Sequence, residues 1–317
     1  MKALRFEAYG PPSVLRIQDL PLPALEEGEV LVQVKASSIN PSDVGTVAGR
    51  FRSKLPMTPG RDYAGVVVEG GAWTGKQVWG TGASFGVVRQ GAHAEFVAVP
   101  SSWLSEKPAQ LSMEQAAVVG VPYLTAWQSL IEAGNLQKKE RLLITGAGGA
   151  VGSAAIQIAH WKGASVIAAD ISEGAPDADS FVNLKEEELV SAVQKATDGK
   201  GVDMVLDTVG GDLFRPCLRT LRVGGRQIAI ANTAGPDAEV SLNLTDFYHH
   251  QLHLIGVDTQ KMAGPQIAGL MNHLREGFEA GFLQISQPEP NGFDKAVEAY
   301  KKVAQKKSRT KQVLVFG

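Results

Sequence analysis

Residues 142–159 read LLITGAGGAVGSAAIQIA. The order is an apolar run, a turn of small residues and a second apolar stretch with helical character. A strand, a tight glycine turn and a helix are what a diphosphate site needs. Missing side chains let backbone N–H groups reach phosphate oxygens, and the helix N-terminus adds partial positive charge. The fingerprint G-x-G-x-x-G fits with Ala147 in its first place, followed by Gly149 and Gly152. Gly146, Gly148 and Ala150 keep the turn open, Val151 opens the helix, and Ala154 and Ala155 let it pack closely on a sheet. A glycine turn built for packing alone has the same spacing. The strand, the helix and the βαβ pattern that follows favour the dinucleotide reading.

The next apolar run, 165–169, ends at Asp170. A carboxylate about 20 residues beyond such glycines accepts hydrogen bonds from the adenosine ribose hydroxyls. It also repels a 2′-phosphate. Residues 171–179 add Glu173, Asp177 and Asp179 and contain no lysine or arginine. By charge NADH is favoured over NADPH. An aspartate that only caps the strand end is the other reading. The single cysteine, Cys217, has no partner for an intramolecular disulfide and cannot build a cysteine-rich zinc site. It reads as a packed thiol.

The elements that must position these groups fall into three stretches. Short β-like runs punctuated by glycine and proline fill the first third: 29–35, 63–69, 77–79 and 94–99. Long helical patterns are absent until about Ser112, which implies a β-barrel-type domain. Ser112 and Gln115 form a capping box for a helix over 112–117, and Pro122 and Tyr123 precede a second helix over 124–133. From Arg141 the pattern alternates. Strands are expected at 141–145, 165–169, 180–183, 202–207, 226–231 and 252–257, with helices at 151–161, 186–196 and 214–221. Such alternation implies a parallel sheet covered on both faces. The remainder holds a helix near 264–280, a segment 282–286, a stretch 293–304 and a last strand 312–316. It could fold back onto the first domain.

Length and composition agree with a two-domain globular chain. The 317 residues exceed the usual single domain, and 44% are hydrophobic. The net charge is -2 with both signs mixed, so neither nucleic acid nor an anionic membrane is an expected partner. The basic cluster Lys301, Lys302, Lys306, Lys307 and Arg309 reads as a solvated helix face. The opening residues have no signal-peptide core, and no apolar run approaches the roughly 20 residues of a membrane span. A cytoplasmic protein is expected.

Several short segments then line up with one family. They are residues 39–43 (INPSD), 59–65 (PGRDYAG), 91–96 (GAHAEF), 124–126 (LTA), the glycine turn, 207–211 (DTVGG) and 224–226 (GGR). In that order and spacing the chain resembles the medium-chain dehydrogenase/reductases. Within them it resembles the zinc-independent quinone oxidoreductase branch, which includes the lens zeta-crystallins. The resemblance implies an α/β fold: a GroES-like β-barrel catalytic domain over 1–118, a Rossmann doubly wound parallel-sheet domain over 119–258, and a return over 259–317 completing the first. It implies a homodimer or tetramer, with dimers joined through the last Rossmann strand, and a small-molecule substrate.

The same resemblance speaks to zinc. Zinc-dependent members place a cysteine where this chain has Asn40, and a His-Glu pair where it has Arg61 and Asp62. The cysteine-rich structural-zinc loop is missing too. Zinc prefers thiolate and imidazole, so no metal is expected. Without a Lewis acid, alcohol oxidation lacks its usual stabiliser. Hydride addition to a quinone or an α,β-unsaturated carbonyl needs only hydrogen-bond donors at the carbonyl oxygen.

The resemblance points to Asn40 as one polar lining group. Arg61 is either another or half of a buried ion pair with Asp62 or Asp43. Relatives often carry a tyrosine shortly after N-P-x-D; Val44, Gly45 and Thr46 stand here instead. Tyr63, Tyr123 and His93 are candidate proton donors, each also readable as a packed residue. For the cofactor the resemblance implies Thr125, Val209 in the loop 208–210, Ala231, Asn232, Gly256 and Val257, at carboxyl ends of strands where ligands bind. For the cofactor the resemblance also implies Lys311, which stands where relatives place a lysine before the last strand; a surface lysine is the other reading. The family usually suggests NADPH, against the NADH favoured by Asp170. An NAD(P)H-dependent quinone or enone reductase is the leading expectation. A zinc-type alcohol dehydrogenase with atypical ligands, or a non-catalytic dinucleotide-binding protein, are the alternatives.

Overall fold

A computed structural model describes residues 1–317 apart from 83, 173–176, 236–237, 307 and 309. Glu173, Lys307 and Arg309 therefore lie outside the described residues. The chain divides into two compact units: Met1–Leu124 with Gln260–Gly317, and Thr125–Thr259.

The first unit is built on a seven-stranded sheet. Its long central strand, Glu29–Ser38, buries Val30, Val32 and Val34 on alternate positions, as the two-residue period of a strand requires. It pairs antiparallel with Asp62–Glu69, with Phe96–Pro100 and with Gln312–Val315. The last pairing matters most for chemistry. Val313 stands opposite Ser38, and the Ile39 N–H donates to the Gln312 carbonyl (3.0 Å). Two residues further along each chain, the same antiparallel register brings Lys311 opposite Asn40. The core beneath the sheet includes Leu4, Phe6, Leu15, Tyr63, Phe85, Leu314 and Tyr300.

One helix in this unit escapes the sequence pattern. Pro41–Val47 is helical, with Asn40 as N-cap, Pro41 in the first turn and the Asp43 carboxylate accepting from the Asn40 N–H (2.7 Å). These are start signals for a helix. The short stretch with Val44, Gly45 and Thr46 has low helical propensity and hides it.

The second unit is a six-stranded all-parallel sheet. Its spatial order is Ser180–Asn183, Ser165–Asp170, Arg141–Thr145, Val202–Asp207, Leu221–Ala229 and His253–Gly256. This is the Rossmann order, with the direction of winding reversing between Arg141–Thr145 and Val202–Asp207. The strand expected at 226–231 starts earlier, at Leu221, and runs through Gly224 (φ +74°). The glycine pair reads as a turn in sequence but is accommodated within the strand. The helix expected from 124 begins at Gly120 and takes Pro122 into its first turn, where a missing N–H costs nothing. It is followed by a π-helical turn over Gln128–Ala133. Cys217 is fully buried, and burial pushes its thiol well up, as a packed thiol requires.

Candidate active site

In the second unit the strand Arg141–Thr145 runs into the turn and the helix Ala150–Trp161, with Gly149 as N-cap. The first helical bond is Ser153 N–H to the Gly149 carbonyl (2.9 Å). The N–H groups of Ala150, Val151 and Gly152 thus precede the ladder, in the first turn where helices bind anions. Ala147 is buried, while Gly149 and Ala150 are exposed. Gly152 is required by close approach: a Cβ there would lie 2.5 Å from the Gly146 carbonyl oxygen and 2.6 Å from Ala147 Cα. The bend itself rests on Gly146, at φ +66° with Thr208 Oγ1 2.3 Å from where a Cβ would be. This cradle has the open backbone and the donor chemistry that a dinucleotide diphosphate fits.

Asp170 ends the neighbouring strand and lies against the turn. Its Oδ2 accepts from the Gly148 N–H (2.9 Å), and its Oδ1 accepts from the Ser172 N–H and hydroxyl (3.0 Å each). Asp179 serves the scaffold instead, accepting from the Val166 N–H (2.7 Å) and pairing with His160 (3.0 Å). Those contacts hold its carboxyl below the usual range.

A second carboxylate shapes the cradle from below. Asp207 is fully buried at the end of the fourth strand. Its Oδ1 accepts from Thr145 Oγ1 (2.9 Å) and from the N–H groups of Val209 (3.0 Å) and Gly210 (2.9 Å), and its Oδ2 from Gln227 Nε2 (3.3 Å). It ties three adjacent strands together and sets the loop carrying Val209. The DTVGG segment was the available signal, but its aspartate was read only as part of a motif. Ala231 lies beside that loop, with its carbonyl where a Cβ on Gly210 would fall (2.5 Å). Asn232 closes a turn by donating to the Ala238 carbonyl (2.9 Å). Gly256 ends the edge strand, and the Val257 N–H returns to the Ala229 carbonyl (3.1 Å). Thr125 is half-buried in the helix Gly120–Trp127.

The first unit holds a buried polar cluster around Asn40, which is 1% exposed. Asn40 forms a capping box with Asp43 at the start of its helix. Its Oδ1 also accepts from Lys311 Nζ, and its Nδ2 donates to Asp62 Oδ2 (2.9 Å). Ser38 Oγ donates to the same Asp62 oxygen (2.9 Å), and the Val121 N–H to Asp62 Oδ1 (2.9 Å). Burial pushes the Asp62 carboxyl up, opposed by the Lys311 charge and by hydrogen bonds from Asn40 and Thr81. Burial pushes the Lys311 ammonium down, opposed by Asp62 and Asp43.

Arg61 belongs to the same cluster. Its Nε is 4.0 Å from Asp43 Oδ1, and its guanidinium stacks 5.0 Å from the Phe51 ring. Of the two ion-pair partners read from the sequence, the structure shows Asp43.

The sequence candidates for proton donation are deeply packed. Tyr63 is 1% exposed, and burial drives its phenol up. Tyr123 donates to the Gln284 carbonyl (2.7 Å). His93 Nε2–H donates to the Ser38 carbonyl (3.0 Å), and its Nδ1 accepts from Tyr300 OH (2.8 Å). Both rings are fully buried, and burial holds the imidazole below its usual pKa. Tyr300 had no sequence signal: it lies 207 residues from His93.

Zinc does not suit this donor set. Asn40 Oδ1 faces an ammonium, Arg61 is a cation, and both Asp62 oxygens already accept protein hydrogen bonds. Among the described residues no group of three or more His, Cys, Asp or Glu side chains gathers as a metal site would.

The parallel sheet in one unit and the largely antiparallel sheet in the other agree with the family comparisons. Residues 26–109 match the alcohol dehydrogenase GroES-like domain, and residues 150–274 match the zinc-binding dehydrogenase domain. A zinc-type alcohol dehydrogenase-like protein of Schizosaccharomyces pombe is 34% identical over 326 residues, spanning all of this chain and 98% of the relative. The chain belongs to the medium-chain dehydrogenase/reductase family. Human quinone oxidoreductase is 26% identical over 325 residues, spanning all of this chain and 98% of its own. The chain is similar over its whole length to this protein and to other curated quinone oxidoreductases. A crystal structure of an NAD-dependent alcohol dehydrogenase superposes with a TM-score of 0.88 at 28% identity, over all of both chains. The expected α/β fold, GroES-like barrel plus Rossmann domain, is the observed one. Membership makes the protein an NAD(P)H-dependent oxidoreductase, as the resemblance implied. Among the described residues no helix is long and apolar enough to cross a membrane.

Proposed function

We propose that the protein reduces a quinone or an α,β-unsaturated carbonyl with NADH or NADPH, without a metal and with NADH preferred. The observation that carries this reading is the pairing of Lys311 Nζ with Asn40 Oδ1. By the resemblance Asn40 stands where zinc-dependent relatives have a metal ligand, and the pairing sets a cation beside it. A conjugated carbonyl needs charge stabilisation at one oxygen, which such donors can supply. When bound, the reduced nicotinamide supplies the hydride.

The residues of the chain do the rest. The N–H groups of Ala150, Val151 and Gly152 hold the diphosphate, and Val209, Ala231, Asn232, Gly256, Val257 and Thr125 line the remaining cofactor path. Asp170 accepts the ribose hydroxyls, exchanging its bond from Gly148 for them, and disfavours a 2′-phosphate. Asn40 orients the substrate oxygen, while Arg61 and Asp43 brace its helix. We also infer a homodimer joined through the edge strand His253–Gly256. Among the described residues this strand pairs with one neighbour, Leu221–Ala229, and Leu254 on it and Tyr248 on the preceding helix are exposed, 42% and 58%.

Steady-state rates of both cofactors against 1,2-naphthoquinone, an enone and an enal test the reading, together with metal analysis of the purified protein. Turnover of at least one acceptor, undiminished by a chelator, is expected. Stoichiometric zinc that activity requires would favour an alcohol dehydrogenase with unusual ligands. Cofactor binding without turnover of any acceptor would favour a non-catalytic role.

A further inference from the structure

The cluster around Asn40 contains one group with protons to give and no structural hydrogen bond that depends on keeping them all. His93 uses both ring nitrogens on Ser38 and Tyr300. Tyr123 is committed to Gln284, and Arg61 is engaged with Asp43 and the Phe51 ring. Lys311 remains. Its ammonium carries three protons, and Asn40 Oδ1 accepts one of them. Register fixes its place: the strand Gln312–Val315 pairs with Glu29–Ser38, so Lys311 faces Asn40 wherever that sheet is formed. The relay beyond it, Asn40 Nδ2 to Asp62 and Asp62 to Ser38 Oγ and the Val121 N–H, locks the amide so that its oxygen must face the ammonium.

We propose that Lys311 is a catalytic residue, whose ammonium, aimed by Asn40, stabilises the substrate's carbonyl oxygen as charge builds there and then protonates it. This rests on the substrate being a quinone or conjugated carbonyl. When hydride adds to the electrophilic carbon, a C–H bond forms and the π electrons move to the carbonyl oxygen. An O–H bond then forms as one Nζ–H bond breaks. The substrate is reduced by two electrons, an enone to its enol and a quinone to the keto tautomer of its hydroquinone, which becomes aromatic when a C–H proton is lost to water and the second oxygen gains one; the cofactor is oxidised by two. The neutral amine regains its proton from water. Lys311 would fill the electrostatic role a metal fills in zinc-dependent relatives, with the added ability to release a proton.

Burial favours that release by lowering the ammonium, and the surrounding groups limit it. Asp62 and Asp43 are the facing carboxylates and favour the charged form, with Arg61 and His93 behind Asp43.

Two variants and one probe test the assignment. The probe is 4-nitrophenol, whose phenolate mimics the charged substrate oxygen and is read by its absorbance without any cofactor. The native protein should lower the apparent pKa of bound 4-nitrophenol by about one unit, a tenfold preference for the phenolate. Lys311→Met should abolish the shift. Lys311→Arg should keep most of it, since the charge remains. Turnover should fall in both, by about 100-fold or more for a lost general acid. NADH affinity, from its fluorescence, should stay within about twofold in both variants.

No shift in the native protein, or full turnover in Lys311→Met, would overturn the proposal. So would loss of NADH binding that accounts for the lost turnover, since Lys311 would then serve the cofactor. If the native protein shifts 4-nitrophenol yet reduces none of the acceptors, Lys311 binds an oxyanion but the reductase reading falls, and the proton transfer assigned to Lys311 falls with it.

Discussion

The buried pair of Tyr300 and His93 gives a prediction whose size follows from its geometry. The Ser38 carbonyl can only accept, so His93 Nε2 carries the ring proton and Nδ1 is an acceptor. Its donor is Tyr300 OH at 2.8 Å, and both residues are fully buried. Tyr300→Phe removes the donor and keeps the ring, so packing changes little. What is lost is one hydrogen bond, and what is left is a buried nitrogen with no partner. Together these cost about 2 kcal/mol, within the range for an unsatisfied buried acceptor. For a unit of this size that is a fall of roughly 4–8 °C in the melting temperature of the first unit. Urea and thermal unfolding followed by near-UV circular dichroism at pH 8 measure it. The same change in a His93→Leu background should cost less than half as much, because no acceptor is left stranded there. A cost under about 0.5 kcal/mol in the native background, or an equal cost in both, would refute the argument.

Three further outcomes are expected. Asp170→Ala should narrow the ratio of kcat/KM for NADH over NADPH, and a strong preference of the unmodified protein for NADPH would refute the ribose contact. Gly152→Ala should weaken dinucleotide binding by at least about tenfold in a fluorescence titration, because its Cβ would meet backbone atoms 2.5–2.8 Å away that cannot move without opening the turn. Acid should destabilise the protein through His93: its folded pKa is lowered by burial, so the unfolded chain binds the extra proton first. The His93 contribution is whole above about pH 6.5 and is lost as pH falls below it, by up to about 1.4 kcal/mol per unit. His93→Leu should flatten that part of the stability profile, measured by urea midpoints between pH 5 and 8.

What could be read from the sequence was local. The glycine turn, its strand and its helix lie within the single stretch Arg141–Trp161, and the apolar periods that define them do not depend on distant partners. The strands over Val202–Asp207 and Ser180–Asn183 fall where their alternation predicts. The Ser112–Gln115 capping box forms as its spacing requires, with both reciprocal bonds present (3.0 and 3.1 Å). Elements were misread where a local signal points both ways. Gly224 and Gly225 look like a turn yet lie within a strand, and Pro122 looks like a boundary yet sits in a helix.

The chemistry of the first unit was harder to read because its contacts are remote in sequence. Asn40 and Lys311 are 271 residues apart, and Asn40 and Asp62 are 22 apart on different elements. Only the sheet register joins them. The resemblance supplied Asn40 and Lys311 as separate candidates, and the antiparallel pairing makes them one site. Tyr300 had no such help, since a tyrosine on an amphipathic helix is ordinary in sequence; Asp207 entered only as the first residue of the DTVGG segment, with no role of its own.

The discontinuous first unit has a consequence for synthesis. Thr125–Thr259 is one unbroken stretch, and every strand of its sheet is available once that stretch has left the ribosome. The first unit must wait for Gln260–Gly317, which delivers Tyr300 to His93 and Lys311 to Asn40. Until then the nascent barrel exposes the flank of Glu29–Ser38 that Gln312–Val315 will cover, an unpaired strand edge of the kind that invites aggregation. A ribosome stalled before residue 311 would yield a chain with its parallel sheet and glycine turn complete but lacking the lysine assigned to the acceptor's oxygen.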